Sequence, residues 1–561
     1  MKEILKQVQD DILKFKILDL FLKFCLHPYH HCALHNGGSF FIIEAMQKEN
    51  LSLPQDLKGV HIHFVGIKGT GMAALVEIFF HNGAIITGSD VADRFYTDEI
   101  LEKLGIKPAL FSADNITPQV QYVVYSSAYN FETNPDLIRA KELGLPCLLY
   151  TQALGWHSSL AYSCGICGVH GKTSTTGLAG TILKELHDIP AQILAGSVIN
   201  SFGNTCTYTS PLIQKLDAQE KKKKSIFVAE TCEYQRHFMA FHPQKILLTS
   251  VESDHEDYYP TYEDIRDAFV DYICRLPMFG ELIYCADDKG AVETALLAYN
   301  KRPDLHLVPY GESAGGDYKL TFGKVENEEN KFSLKAFDKE LFLRMPGRHE
   351  VLDAAGAVAL VCQILRYFGK HPVDYIEKIS DGLKKFTGGK RRSEIVRTFK
   401  TPSGNDVIVI DDYGHHPTAI KTTVAGYREF YKGRKIILDF MSHTYSRTQA
   451  LLDDFAASMD DADVVILHKI YSSARENAAD FTITGTTLYE KTLEHQKAAG
   501  TKAAATDSIY YFEEVMQAKD LVEEELNKPL PPEYPDGYLF ITMGAGDNWP
   551  LGREIFKEAT K

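Results

Sequence analysis

The nine residues Gly168-Val169-His170-Gly171-Lys172-Thr173-Ser174-Thr175-Thr176 have the types and the spacing to hold a polyphosphate. They follow a short apolar run, 162–166, and precede Leu178-Ala-Gly-Thr-Ile-Leu, whose apolar residues have helical spacing. Strand, glycine loop and helix in that order let backbone N–H groups curl around phosphate, and the helix N-terminus adds positive partial charge. Lys172 then reaches the terminal phosphates and the Thr173 hydroxyl sits on Mg²⁺. One departure stands out: Ile166 occupies the place, five residues before Gly171, where the strict P-loop pattern has glycine.

Acidic groups gather at the ends of the strands expected nearby. Residues 225–230 form one such strand, ending in Glu230-Thr-Cys-Glu233. Residues 246–251 form the next, ending in Glu252-Ser-Asp254-His255. Carboxylates and a histidine at strand carboxyl ends beside a phosphate loop suit a Mg²⁺–nucleotide site. Arg348 and His349 follow Pro346-Gly347 at the start of an alanine-rich helix expected over 351–360, where an arginine suits phosphate or base contact. Lys221 to Lys224 read as a solvated connection.

A second glycine loop lies earlier. Strand 61–65 runs into Gly66-Ile67-Lys68-Gly69-Thr70-Gly71 and an apolar helix, and a second strand ends in Ser89 and Asp90. This is a mononucleotide-binding βαβ layout, and its helix N-terminus suits a pyrophosphate. The glycine order is GxxGxG rather than GxGxxG, which weakens a nicotinamide reading. Asp90 either holds a ribose or caps the next segment. Strand 120–124 leads to Ser126 and Ser127, a further polar strand edge.

Beyond the basic break at Gly388-Gly389-Lys390-Arg391-Arg392, strand 407–410 ends in Asp411-Asp412-Tyr413-Gly414-His415-His416. Strand 436–440 leads to His443-Thr444-Tyr-Ser-Arg447. The elements that must position all these groups are therefore alternating strands and helices, repeated in three α/β blocks. The expected divisions are an extension over 1–58, a Rossmann-like domain over 59–155, a central P-loop domain with a mostly parallel sheet over 156–387, and a second Rossmann-like domain over 388–561.

Length and composition agree with this. A chain of 561 residues has room for about three to four domains. With 45% hydrophobic and 24% charged residues the composition is that of an ordinary globular protein, and a net charge of −15 argues against nucleic acid or membrane surfaces as partners. Ten cysteines without regular spacing read as reduced thiols of a cytoplasmic protein, and the Cys164/Cys167 pair as structural. Cys25, His27, His30, His31, Cys32 and His35 crowd together but fit no zinc spacing. Met46 is a candidate start that would leave 1–45 as a loosely ordered extension.

Taken together, the motifs resemble the Mur ligases of bacterial cell-wall synthesis over nearly all of 60–561. They are His63-Phe-Val-Gly-Ile-Lys-Gly-Thr-Gly-Met, Gly168-Val-His-Gly-Lys-Thr-Ser-Thr-Thr, Glu252-Ser-Asp-His, Pro346-Gly-Arg-His, Asp411-Asp-Tyr-Gly-His-His-Pro and His443-Thr-Tyr-Ser-Arg-Thr. The resemblance implies ATP- and Mg²⁺-dependent joining of L-alanine to the lactyl carboxylate of UDP-N-acetylmuramate through an acyl phosphate. The alternative within the family is attachment of a preformed tripeptide to the same UDP-sugar. It implies that Gly66, Ile67, Gly69, Thr70, Gly71, Ser89, Asp90, Ser126 and Ser127 serve the UDP-sugar. It implies metal ligation by Thr173, Glu233 and His255, with Lys172 on the β/γ-phosphates. His170, Arg391 and Arg392 would face the transferring phosphate or the UDP-sugar, Asp411 the ribose, and His415, His443 and Arg447 the amino acid. A monomer or weak homodimer is expected. The chain departs from the family at Glu350 and Asp353, where asparagines are usual, at Thr444, where arginine is usual, and at Thr231-Cys232 in the acidic motif.

Overall fold

The structure, a computed structural model, describes residues 52–255, 257–472, 476 and 478–557; the Cys/His cluster near the N-terminus and Met46 lie outside them. Residues from Ser52 onward form one unit. Among the described residues the strands form four sheets.

The first sheet has the order β3-β2-β1-β4-β5, with β1 His61–Val65, β2 Ile85–Asp90, β3 Ala109–Leu110, β4 Tyr122–Tyr125 and β5 Cys147–Leu149, all parallel. Helix α1, Thr70–His81, follows the first glycine loop and is buried on all faces from Met72 to Phe79. The second sheet has the order β12-β11-β10-β6-β9-β7-β8. Its strands are β6 Tyr162–Cys167, β7 Ala191–Ile199, β8 Thr205–Thr209, β9 Ile226–Glu230, β10 Lys245–Leu248, β11 Glu281–Cys285 and β12 His306–Tyr310, and only β8 runs antiparallel to its neighbour. β6 is a continuous apolar run because it is covered on both faces. Helix α2, Lys172–Leu186, starts directly after the phosphate loop.

Two expectations are corrected. Lys221–Lys224 is not an open connection. It closes a helix, Ala218–Lys224, that Asp217 and Glu220 cap reciprocally and that a Lys224–Glu220 pair one turn apart supports. The helix after Pro346-Gly347 runs from Arg348 to Tyr367 (α3), longer than its alanine-rich middle suggested. Before it, β13 Leu320–Glu326, β14 Glu329–Leu334 and β15 Glu340–Leu343 make a small antiparallel sheet.

The fourth sheet has the order β16-β17-β21-β18-β19-β20, with β16 Glu394–Lys400, β17 Asp406–Asp412, β18 Arg434–Phe440, β19 Val464–His468, β20 Ile509–Phe512 and β21 Gly537–Met543. All neighbours are parallel except β16, which is antiparallel to β17. Helices α4, Pro417–Phe430, and α5, Tyr445–Ala450, start at the carboxyl ends of β17 and β18. No single described helix is long and apolar enough to cross a membrane. Cys164 and Cys167 are buried in β6 as free thiols, and burial pushes both thiols up, Cys164 to about 12.

The phosphate-loop helix is held from behind by the helix Ile376–Lys385, where Gly382 lies so close that a Cβ there would stand 2.6 Å from the Ile182 Cα. Gly382→Ala should therefore force the helices apart. We expect a destabilisation of about 1–3 kcal/mol, larger than the helix-propensity gain of up to about 1 kcal/mol, readable by chemical denaturation. A variant as stable as the wild type would show that the helices can separate freely.

Candidate active site

The glycine loop is shaped by its own backbone. Gly171 has φ of 79°, and a Cβ there would stand 2.4 Å from Asp353 Oδ1, so conformation and space both require glycine. Lys172 Nζ folds back to donate to the carbonyls of Gly168 (2.5 Å) and Val169 (3.1 Å), and forms an ion pair with Glu233 at 3.0 Å. The Thr173 hydroxyl donates to Glu230 at 2.8 Å, and His255 Nε2 lies 3.4 Å from Glu233. Lys172, Thr173, Glu230, Glu233 and His255 thus meet at the carboxyl ends of β6, β9 and β10.

Glu233 is 2% exposed, and Lys172 reaches both of its carboxylate oxygens, at 3.0 and 3.2 Å. Burial alone would raise its pKa, but the Lys172 and His255 side chains beside it hold it below the usual carboxylate range. His255 has φ of 58°, a strained conformation for a non-glycine residue. An ionised buried carboxylate held only by Lys172 and the His255 imidazole, with a second carboxylate bonded to a hydroxyl, forms an oxygen-rich donor set that fits Mg²⁺.

Of these groups, Lys172, Thr173 and Glu230 line a cavity of about 340 Å³, and Glu233 and His255 stand behind Lys172 outside its lining. His170, Ser174, His349, Arg392, Asp412 and His415 also face it, so the C-terminal domain closes the side opposite the glycine loop. Burial lowers the His349 pKa to about 4 and drives that of His415 well below the usual imidazole value, with Arg447 adding to the second effect.

Several expected residues are engaged elsewhere. Arg391 is paired with Asp411 at 3.0 Å and donates to the carbonyls of Gly544 and Gly546, so both side chains serve the C-terminal domain and neither lines the cavity. Burial raises Asp411 to about 6, against the pull of Arg391. Arg392, expected beside Arg391, does line the cavity, and Asp412 takes the place there expected of Asp411. Arg348 is exposed, with its guanidinium 4.9 Å above the Phe322 ring. Arg447 donates to Asp254 at 2.7 Å across the boundary between the second and fourth sheets. His443 stacks on Tyr471, with its ring centre 6.5 Å from that of His415.

At the first glycine loop, Gly69, Thr70, Gly71, Ser126 and Ser127 line a smaller cavity with Met72, Leu149, Tyr150, Thr151 and His237. Gly66 and Ile67 lie beneath it in the loop. Ser89 is fully buried beside His63. Asp90 accepts the backbone N–H groups of Lys68 (2.7 Å) and Val91 (2.8 Å), so its carboxylate ties the glycine loop to the end of β2. Sequence reasoning passed over Tyr150 and Thr151, although they stand at the carboxyl end of β5, where ligand residues of such sheets collect.

Glu350 and Asp353 sit against the loop on α3. Glu350 accepts from Ser174 at 3.0 Å, and burial raises its pKa to about 7. Burial and the neighbouring Glu350 raise Asp353 well above the usual range. A protonated carboxylic acid offers one donor and one acceptor, as an asparagine amide does. Because the folded-state pKa of Glu350 is raised, its contribution to stability is fully present below about pH 4.5 and is lost as pH rises through 7. Thermal unfolding followed from pH 5 to 8 should show this fall, and Glu350→Gln should flatten it. An identical slope in the variant would refute this assignment.

Comparison with known proteins agrees with this architecture. Residues 61–162 match the Mur ligase family catalytic domain, 166–361 the Mur ligase middle domain, and 391–528 the Mur ligase glutamate ligase domain. The UDP-N-acetylmuramate–L-alanine ligase of Treponema pallidum is 45% identical over 507 residues, covering 90% of this chain and 98% of that protein. The enzyme of the same name from Borreliella burgdorferi is 35% identical, covering 88% and 97%. Among solved structures, the UDP-N-acetylmuramate-alanine ligase of Thermotoga maritima superposes with a TM-score of 0.66 at 23% identity, covering 89% of this chain and 99% of that one. A murein peptide ligase from Psychrobacter arcticus follows with a TM-score of 0.57 at 21% identity, covering 89% and 98%. With three domain matches in sequence order and close relatives aligned nearly end to end, the chain belongs to the Mur ligase family.

Proposed function

We propose that this protein joins L-alanine to the lactyl carboxylate of UDP-N-acetylmuramate at the expense of ATP, in peptidoglycan precursor synthesis. The observation that carries this reading is the near full-length similarity to enzymes of that name. The arrangement of charges in the central cavity supports it.

A free carboxylate is a poor acylating agent, so it first takes the γ-phosphoryl group of ATP to become an acyl phosphate. The amine then attacks the acyl carbon and phosphate leaves. Catalysis is mostly positioning and charge neutralisation. The glycine loop holds the β- and γ-phosphates by its backbone N–H groups. Lys172 turns from the Gly168 and Val169 carbonyls toward the phosphate oxygens. Thr173, Glu230, Glu233 and His255 would hold Mg²⁺, which when bound would neutralise phosphate charge. Arg392, on the opposite wall, faces the transferring group. His415, neutral because it is buried, donates from Nδ1 to the Tyr413 carbonyl, which leaves Nε2 as a hydrogen-bond acceptor for the incoming amine. The UDP-sugar lies along the first glycine loop, against Thr70, Ser126, Ser127 and Tyr150.

Phosphate release by purified protein tests this, with Mg²⁺, ATP and UDP-N-acetylmuramate, and with L-alanine or the tripeptide in parallel. Release that depends on L-alanine is expected. Release with the tripeptide alone would transfer the chain to the murein peptide ligase branch. That branch is the weaker reading, because the relatives at 45% and 35% identity both carry the name of L-alanine ligases.

A further inference from the structure

A second group of potential ligands stands at the wall of the nucleotide cavity, which His170 and Glu252 line, outside the Thr173–Glu233–His255 set. His170 comes from the glycine loop, Glu252 from the segment after β10, and His416 from the residue that precedes α4. His170 Nε2 is in contact with Glu252 Oε1, and His416 Nδ1 lies 3.7 Å from the same oxygen. The two imidazole centres are 5.2 Å apart, and one ligand atom from each of the three residues lies within 4.8 Å of the others.

The hydrogen bonding of these atoms is incomplete in a specific way. Both ring nitrogens of His416 are buried without a hydrogen bond, while His170 Nε2 and Glu252 Oε1 have only each other as partners. His416 is only 6% exposed, so water does not supply the missing partners freely. Leaving a buried imidazole unpartnered is costly, and a cation bound between the three side chains would recover that cost. The surroundings are already arranged for ligation. Thr418 donates to the other Glu252 oxygen at 3.2 Å, and the His170 backbone N–H donates to Ser250 at 2.9 Å, which fixes two of the three ligands. Burial holds His416 in the neutral form that binds metals. Burial opposes ionisation of Glu252, but the two histidines keep its carboxyl below the usual range.

We propose that His170, Glu252 and His416 bind one transition-metal dication of the zinc class, at a site distinct from the Mg²⁺ ligands. Two imidazoles and one carboxylate suit zinc, cobalt or manganese, whereas Mg²⁺ prefers an all-oxygen shell. Three protein ligands leave one coordination position open. Two ligands belong to the central domain and the third to the C-terminal domain, so the bound ion ties the two together and favours their closed arrangement. This inference stands on these three side chains and does not depend on which amino acid the enzyme uses.

The test uses tag-free, full-length protein stripped with EDTA and titrated with Zn²⁺ by calorimetry. Co²⁺ is titrated in parallel and read by its visible absorption, all in excess Mg²⁺. One equivalent should bind to the wild type and to Glu233→Gln, with a rise in unfolding temperature and a four-coordinate cobalt spectrum. His416→Gln and Glu252→Gln should each weaken binding by about 10–100-fold and lose that spectrum. Far-UV circular dichroism in metal-free buffer identifies which variants are folded, and His170→Asn removes a ligand from a third element should another variant fail. A wild type that binds no Zn²⁺ and shows no temperature shift overturns the proposal. So does any folded ligand variant with unchanged stoichiometry and spectrum. Failure here leaves L-alanine-dependent phosphate release untouched, so the two readings are separable.

Discussion

Replacing Lys172 with alanine is expected to lower kcat/KM by about 10³-fold or more, a loss on the order of 4 kcal/mol of transition-state stabilisation. Lys172 follows the left-handed Gly171 and opens α2, which aims its side chain along the loop. Burial by itself would lower its pKa, but Glu233 beside it raises it above the usual lysine value, so the ammonium is charged throughout the physiological range. It is the cation best placed to meet charge developing on the transferred phosphoryl group. Removing it also leaves Glu233 ionised and 2% exposed beside His255 alone. A stability loss of about 3 kcal/mol is therefore expected alongside the rate loss. Lys172→Arg keeps the charge but not the compact ammonium that donates to two loop carbonyls, and it should rescue stability more than rate. Binding of UDP-N-acetylmuramate, measured by calorimetry, should be nearly unchanged, because the cavity proposed for it lies along the other glycine loop. A Lys172→Ala enzyme within tenfold of the wild-type rate would remove the lysine from the mechanism.

The groups that sequence reading located well lie on short, local patterns. A glycine loop between a buried strand and a helix has few alternative structures, so Gly171, Lys172 and Thr173 were legible from spacing alone. Glu230, Glu233 and His255 were legible for a related reason: they stand just beyond apolar runs, and in a parallel sheet such positions share one edge. The misplacements have an equally physical origin. Asp411 and Asp412 are adjacent on β17, so their side chains leave opposite faces, and one residue of register decides which of them meets the cavity. Arg391 and Arg392 differ in the same way: Arg391 is turned into the C-terminal domain by Asp411, and Arg392 toward the cavity. Asp90 followed the layout of a ribose-binding acid, but the GxxGxG loop leaves the Lys68 N–H for its carboxylate to satisfy. The pairing of Asp254 with Arg447 joins residues 193 positions apart. It depends on how two domains meet, which no local pattern encodes.

That pairing leads to the second large effect. Arg447→Ala should destabilise the protein by about 3–5 kcal/mol, because it leaves a buried carboxylate without its cation. The side chains of Arg447 and Asp254 are 7% and 6% exposed, so solvent screens the pair weakly. Burial would raise the Asp254 pKa, yet Arg447 and the nearby histidines hold it far below the usual carboxylate range. A depressed carboxyl contributes stability that is present above the unfolded pKa of about 3.9 and is lost as pH falls toward the folded value. The wild type should therefore lose this contribution progressively below about pH 4, and Arg447→Ala should lack that part of the acid profile. Asp254→Asn in the Arg447→Ala background should recover much of the loss, since a neutral amide tolerates burial better than an unpaired charge. Because the pair joins the β10 side of the nucleotide cavity to α5, its loss should also raise KM for L-alanine while the affinity for UDP-N-acetylmuramate stays within about twofold. Urea unfolding of the two single variants and the double variant forms a closed cycle. If the double variant is as unstable as the sum of the singles, the two residues do not interact. Arg447 would then be free to hold the carboxylate of the incoming amino acid throughout the reaction, instead of being shared between that carboxylate and Asp254.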